Sequence, residues 1–168
     1  HSRMGGGPVH GTHLEQVSAG RRSLRNQCLS YLMELDTPEI RARALAQLNT
    51  ADNMTDAMAA LGALADYDCP ERIEALAGFY EKWRDETLVI DKWFSVQARS
   101  RLPGTLDEVR HLMQHPAYDS TNPNRIRAVV GAFCHGNHAR FHAADGAGYA
   151  FAADQVITLD AVNAQLAA

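Results

Sequence analysis

Apolar residues in this chain recur at the three-to-four spacing of an α-helical stripe, in runs cut short by Asp, Asn or Thr set against Pro or Gly. The cuts fall at Asp36-Thr37-Pro38, at Asp66-Tyr67-Asp68 ahead of Pro70, at Pro103-Gly104, at Asn122-Pro123 and at Asp145-Gly146-Ala147-Gly148. Strands would need a period of two, and alternating Val, Ile, Thr and Tyr runs do not occur. The chain is therefore predicted to be all-α. Short helices joined by tight turns predict antiparallel helical hairpins stacked side by side, a HEAT- or armadillo-like superhelical array without a strict repeat of fixed period.

The first helix is predicted from about His13 to Leu35, with Leu14, Val17, Leu24, Cys28, Tyr31 and Leu35 as its buried stripe. Thr37 caps a second helix that Pro38 opens and that runs to about Leu48. Asn49-Thr50-Ala51-Asp52 opens a third, with Met54, Met58, Leu61 and Ala65 on one face. Its methionines read as core filler before they read as a pliable binding surface. Pro70 starts the fourth, with Ile73, Leu76, Ala77, Tyr80 and Trp83 inward. The fifth, Leu88 to Arg99, carries apolar residues around most of its circumference and is expected to be the most buried. A sixth spans Leu106 to Gln114, and a seventh starts at Asn122 with Ile126, Val129, Val130 and Phe133 as its core face. The last two are expected at His138 to Ala143 and Tyr149 to Leu166.

A length of 168 residues matches one ordinary domain and suffices for a core without disulfides or metals. The net charge of -4 gives no basic footprint for nucleic acid. Cys28, Cys69 and Cys134 lie far apart, form no CxxC and read as inert thiols in a reducing compartment. There is no apolar run of membrane-spanning length and no signal-peptide pattern. These features predict a cytoplasmic protein with neither nucleic acid nor membrane as partner. Residues 1–10, Gly-rich and unlike the rest, read as a tag or boundary remnant, leaving 11–168 as the helical domain. VNAQLAA ends on a helical pattern still running, so that domain is expected to be truncated at its C-terminal end.

Two polar clusters interrupt the Ala- and Leu-rich pattern. In TNPNRIR, residues 121–127, Asn122 and Pro123 suit the N-cap and first turn of a helix. At about 100° per residue, Asn124 and Arg127 point away from the Ile126–Phe133 face. Gly131 and Cys134 fall on the same side as these two, and Arg125 on the flank. Two guanidiniums in a first turn oppose the helix macrodipole, which an anion, a carboxylate or a partner surface beyond the helix end would offset. Two readings follow for Asn122, Asn124, Arg125 and Arg127: a cap with a solvated face, or a functional polar surface. In HGNHARFH, residues 135–142, His138 and His142 stand four apart, near Cys134 and His135, and zinc accepts these ligand types. A Gly-Asn break separates the halves and no His is followed by Glu, so helix-end and packing histidines are expected. There is no GxSxG, no phosphate loop and no GxGxxG. Asp85, Glu86 and Asp91 read as solvated or paired carboxylates, and Lys92 and Trp93 as a cation–π pair only if neighbouring helices bring them together. No residue is assigned a catalytic role.

Taken together, LNTADNMTDAMAAL, VIDKWFSVQA, TNPNRIR and GAFCHGNHARFHAADGAGYAF resemble the C-terminal helical domain of the bacterial aminopeptidase N family, from about Arg21 to the end. That resemblance implies a piece of a gluzincin-type zinc aminopeptidase, which removes N-terminal amino acids from peptides. The family's HExxH and GAMEN motifs belong to a separate catalytic domain and are missing from this sequence. The implied role is a helical cap, itself without zinc or turnover, walling the peptide cavity of the catalytic domain in the same polypeptide. Asn122, Asn124, Arg125 and Arg127 then become candidates for the cavity or the domain interface, acting by positioning. Two alternatives stand beside it: a helical-repeat scaffold for a protein partner, and a small metal-binding protein using Cys134, His135, His138 and His142.

Overall fold

The computed structural model describes residues 10–162, with side chains over 17–161. All regular structure among them is helical. Six helices lead the chain: α1 (His10–Met33), α2 (Pro38–Thr50), α3 (Met54–Ala65), α4 (Pro70–Trp83), α5 (Thr87–Ala98) and α6 (Thr105–Leu112). A composite helix follows, made of α7 (Pro123–Ile126), a π-helical turn (Arg127–Gly131) and α8 (Ala132–Gly136). The chain closes with α9 (His138–Phe141) and α10 (Ala147–Val162).

The helices pack in two layers. α1 packs on α3, α3 on α5, and α5 on the π turn and α8, while α2 packs on α4. α1, α3, α5 and α9 each also meet their even successor, and this double row is the stacked-hairpin array that the turn spacing predicts. The core runs between the layers through Met33, Leu61, Leu64, Ile90, Phe94, Val109, Val129 and Phe133, all fully buried. Each such side chain contributes on the order of 1.5–3 kcal/mol of burial free energy.

Local chemistry explains most boundaries. The Thr37 side chain accepts from the Ile40 backbone N–H, with Pro38 in the first turn of α2. α3 starts later than expected because α2 continues to Thr50. The cap is Asn53, whose Oδ1 accepts from Asp56 N at 2.9 Å. Asn122 caps α7, accepting from Asn124 N at 2.9 Å. Ile126, Val129, Val130 and Phe133 are buried as expected. The predicted last helix beyond residue 162 and the first nine residues of the remnant expected at 1–10 lie outside the described residues, while His10 already belongs to α1.

Three expected burial patterns differ in the structure. Val17, Leu24, Cys28 and Tyr31 of α1 are exposed, Leu24 at 67% and Tyr31 at 70%, as is Leu35 just past its end, and the buried residues among the described side chains of α1 are Leu29 and Met33. Leu14 lies outside the described side chains. Polar bonding sets the rotation of α1, because Arg25 and Asn26 both reach Asp56 of α3. On α4 the face is partly as expected, since Leu76 is buried and Tyr80 and Trp83 pack against the core, but Ala75 and Phe79 join them in place of Ile73 and Ala77, which are exposed. α5 is not the most buried helix: Leu88 is exposed in its first turn, and α5 buries five of twelve residues against six of twelve in α3.

Candidate functional site

DKWF on α5 and NPNRIR on α7 meet in space. Arg125, only 6% exposed, is turned into the molecule. Its Nη1 lies 2.9 Å from Asp91 Oδ1, and its guanidinium lies over the Phe94 ring at 5.0 Å. The ion pair sits off the hydrogen-bonding direction, since Asp91 Oδ1 and Arg125 Nε and Nη1 have no aligned partner among the described residues. Trp93 faces the other way, and its indole N–H donates to Leu76 O of α4 at 2.9 Å. His115 completes the cluster, edge-on to Tyr80 at 4.9 Å and beside Trp93, with Nδ1 accepting from Ala117 N at 3.1 Å. Burial, and then the nearby Arg125 charge, hold its pKa below the ordinary value. The cation–π contact therefore joins Arg125 and Phe94, not Lys92 and Trp93.

On the free face of the odd-numbered layer, the same elements frame a groove of about 700 Å³. α7 supplies Asn124 and the π turn Arg127, α5 supplies Asp91, Lys92 and Ser95 with Arg99 at its C-cap, and α3 supplies Met58 and Gly62 with Asp66 at its C-cap. A neighbouring groove of about 630 Å³ between α1 and α3 shares Met58, Gly62 and Asp66 and continues past Arg22, Asn26 and Thr55. Lys92, Ser95 and Arg99 follow helical spacing on the face of α5 opposite Ile90, Phe94 and Ala98.

The π turn helps aim α7. A π turn holds one residue more than an α turn, so side chains beyond it are rotated by about 100° relative to a continuous helix. Asn124, Arg127 and Ala128 line the groove, but Gly131 and Cys134, expected on the same side, do not. The Ser95 hydroxyl donates to Ala128 O at 3.1 Å, serving a carbonyl inside the turn. Cys134 is half-buried, and burial raises its thiol pKa.

The remaining motif residues hold the frame. Asp56, 2% exposed, accepts from Arg25, from Asn26 at 2.9 Å and from Asn53 Nδ2 at 2.9 Å. Burial pushes its carboxyl up, but the Asn53 and Asn26 hydrogen bonds and the Arg25 charge outweigh it and leave the pKa below the ordinary range. Asn137 Nδ2 donates to Ala98 O at 3.1 Å and Ser100 O at 2.8 Å, closing the C-terminus of α5, while its Oδ1 caps α9. A methyl group at Gly148 would collide with the Phe141 carbonyl, and Gly146 has φ +72°, so both glycines of DGAGY are required by the turn.

Of the predicted site residues, Asn124 and Arg127 are brought together in the groove, Asn122 acts as a helix cap, and Arg125 is buried beneath. His138 and His142 stack nearly parallel at 5.9 Å, and His142 Nδ1 shares a 2.6 Å hydrogen bond with the Tyr149 hydroxyl. His135 Nδ1 lies 3.2 Å from Gly131 O. Among the described residues, no three His, Cys, Asp or Glu side chains converge on a point where a metal would sit. No described helix is long and apolar enough to cross a membrane. Sequence reading missed Ser95 and Arg99, though their three-to-four spacing from Lys92 was visible.

Two layers of short helices with a polar groove on one free face define an armadillo-type helical-repeat domain. The chain belongs to the family described as "Domain of unknown function (DUF3458_C) ARM repeats", which matches residues 8–168. It is 45% identical over 154 residues to aminopeptidase N of Caulobacter vibrioides and 40% identical over 154 residues to aminopeptidase N of Escherichia coli. In both cases 92% of this chain is covered, and the chain spans 18% of the relative's length. The crystal structure of Legionella pneumophila aminopeptidase A in complex with aspartic acid superposes with a TM-score of 0.83 at 35% identity, covering 89% of this chain and 18% of that one.

Proposed function

We propose that this chain is the helical cap domain of a zinc-dependent aminopeptidase of the aminopeptidase N type, with its odd-helix face walling the peptide cavity of a separate catalytic domain. The observation that carries the reading is the pairing of Asn124 and Arg127 in a polar groove on an exposed face, with Asp91 of the groove paired to the buried Arg125 beneath it. The similarity to aminopeptidases N over 92% of the chain supplies the context. In this reading the zinc and the water that attacks the first amide belong to the other domain. The residues described here bind and orient peptide, and the chain alone cleaves nothing. The exposed apolar residues Leu24 and Tyr31 on α1 and Leu35 just beyond it suit contact with further parts of such a polypeptide.

A chimera tests this. This chain replaces the matching segment of Caulobacter vibrioides aminopeptidase N, and tetrapeptide and aminoacyl-nitroanilide hydrolysis are compared. Arg127→Gln is expected to raise KM for the tetrapeptide about tenfold with kcat unchanged, and to leave the nitroanilide, which does not reach the groove, unaffected. Equal kinetics of variant and parent on both substrates would refute the reading.

A further inference from the structure

The charges in the groove are unbalanced. Three cations, Lys92, Arg99 and Arg127, line it together with two carboxylates, Asp66 and Asp91. Both carboxylates are already engaged. Asp66 Oδ1 accepts from Arg101 N at 2.9 Å and its Oδ2 lies 3.1 Å from Arg101 Nε, while Asp91 pairs with Arg125. None of the three cations forms an ion pair with a carboxylate among the described residues. Among the described residues, the Arg127 side chain reaches only Asn124 Oδ1, at a long 3.4 Å. The Arg99 side chain lies over Gly136, where a methyl group would meet its Nε at 2.7 Å. The absence of a side chain at 136 leaves the guanidinium room over α8.

We infer that this groove is a carboxylate-binding site for peptides, in which Arg99 and Lys92 act together with Arg127. Two planar guanidiniums offer the paired donors that a carboxylate accepts, and the lysine adds a point charge. Met58, Gly62 and Val96 give the groove an apolar wall, and Asn124 adds an amide. An apolar wall beside three cations fits a carboxylate carried on an amide chain better than a free inorganic anion. The volume of about 700 Å³ admits the last few residues of a peptide. The inference deepens the cap reading, on which its biological source of peptide rests; the binding itself can be read on this chain alone.

Isothermal titration of the purified chain at low salt uses four probes: N-acetyl-trialanine as the free acid, the same peptide as its C-terminal amide, an amidated peptide with one internal Asp, and inorganic phosphate. The free acid is expected to bind about tenfold more tightly than the amide. Arg99→Gln and Arg127→Gln should each weaken the acid several-fold, while Arg43→Gln, at an exposed position of α2, changes nothing. Circular dichroism identical to the parent's ensures that each variant is folded. An internal-Asp amide that matches the acid supports the carboxylate site and assigns it to acidic side chains; one that matches the plain amide assigns it to the C-terminus. Amide binding as tight as acid, phosphate binding as tight as acid, or unchanged affinity in both Arg variants would overturn the inference. Acid-over-amide preference with normal chimera kinetics in Arg127→Gln would sink the cap reading and leave the site standing. The reverse result would do the opposite.

Discussion

Asp56 shows how a single buried carboxylate can position a whole helix. It takes three side-chain donors, two of them from α1, so replacing it strands Asn26, Asn53 and Arg25 together. Asp56→Ala is expected to cost about 2–4 kcal/mol in urea unfolding at neutral pH. Its folded pKa is depressed, so its contribution is present above the unfolded value near about 4 and is lost as pH falls through the folded pKa. His115 is also depressed, with the same sign in a higher window: its contribution fades as pH falls below about 6.5 toward its folded pKa. Stability against pH should therefore descend in two steps, and Asp56→Asn should shrink only the lower one, to which Asp119, held low by its hydrogen bonds from Thr121, also belongs. A single step, or two steps unchanged in the variant, would contradict this assignment.

At the scale of elements, the π turn is the feature that most shapes the groove. Ser95→Ala removes the donor to Ala128 O and should cost about 1–2 kcal/mol, with faster amide hydrogen exchange confined to residues 127–131. Unchanged exchange there would show that Ser95 does not hold the turn. Caps and breakers made most elements legible: Thr37-Pro38, Pro70 and Asn122-Pro123 each mark a helix start within a residue or two. The π turn was not legible, because its residues RAVVG carry an ordinary helical pattern and the extra residue is accommodated by packing on α5. Helix rotation was equally hidden on α1, where two apolar stripes compete and the hydrogen bonds to Asp56, 30 positions away, select the less obvious one. Periodicity identifies a helix but does not choose between stripes when a buried polar hub decides.

Across the whole molecule, the motifs divide by role. LNTADNMTDAMAAL and HGNHARFH tie helices together, while DKWF and NPNRIR each send two side chains below the surface, Trp93 with Phe94 and Arg125 with Ile126, and others to the groove. This alternation made the site only partly readable in sequence. The polar cluster at 122–127 was visible, but the inward turn of Arg125 and the arrival of Arg99 depend on tertiary packing. The central claim is that the odd-helix face borders a peptide cavity, and cysteine footprinting in the Caulobacter chimera tests it most directly. With Cys28→Ser as background, a cysteine is placed at Arg127 in one protein and at Arg43 in another, and thiol modification rates are measured with and without saturating competitive peptide. Slowed modification at 127 and an unchanged rate at 43 are expected. Equal rates at 127 with and without peptide would place this face away from the cavity.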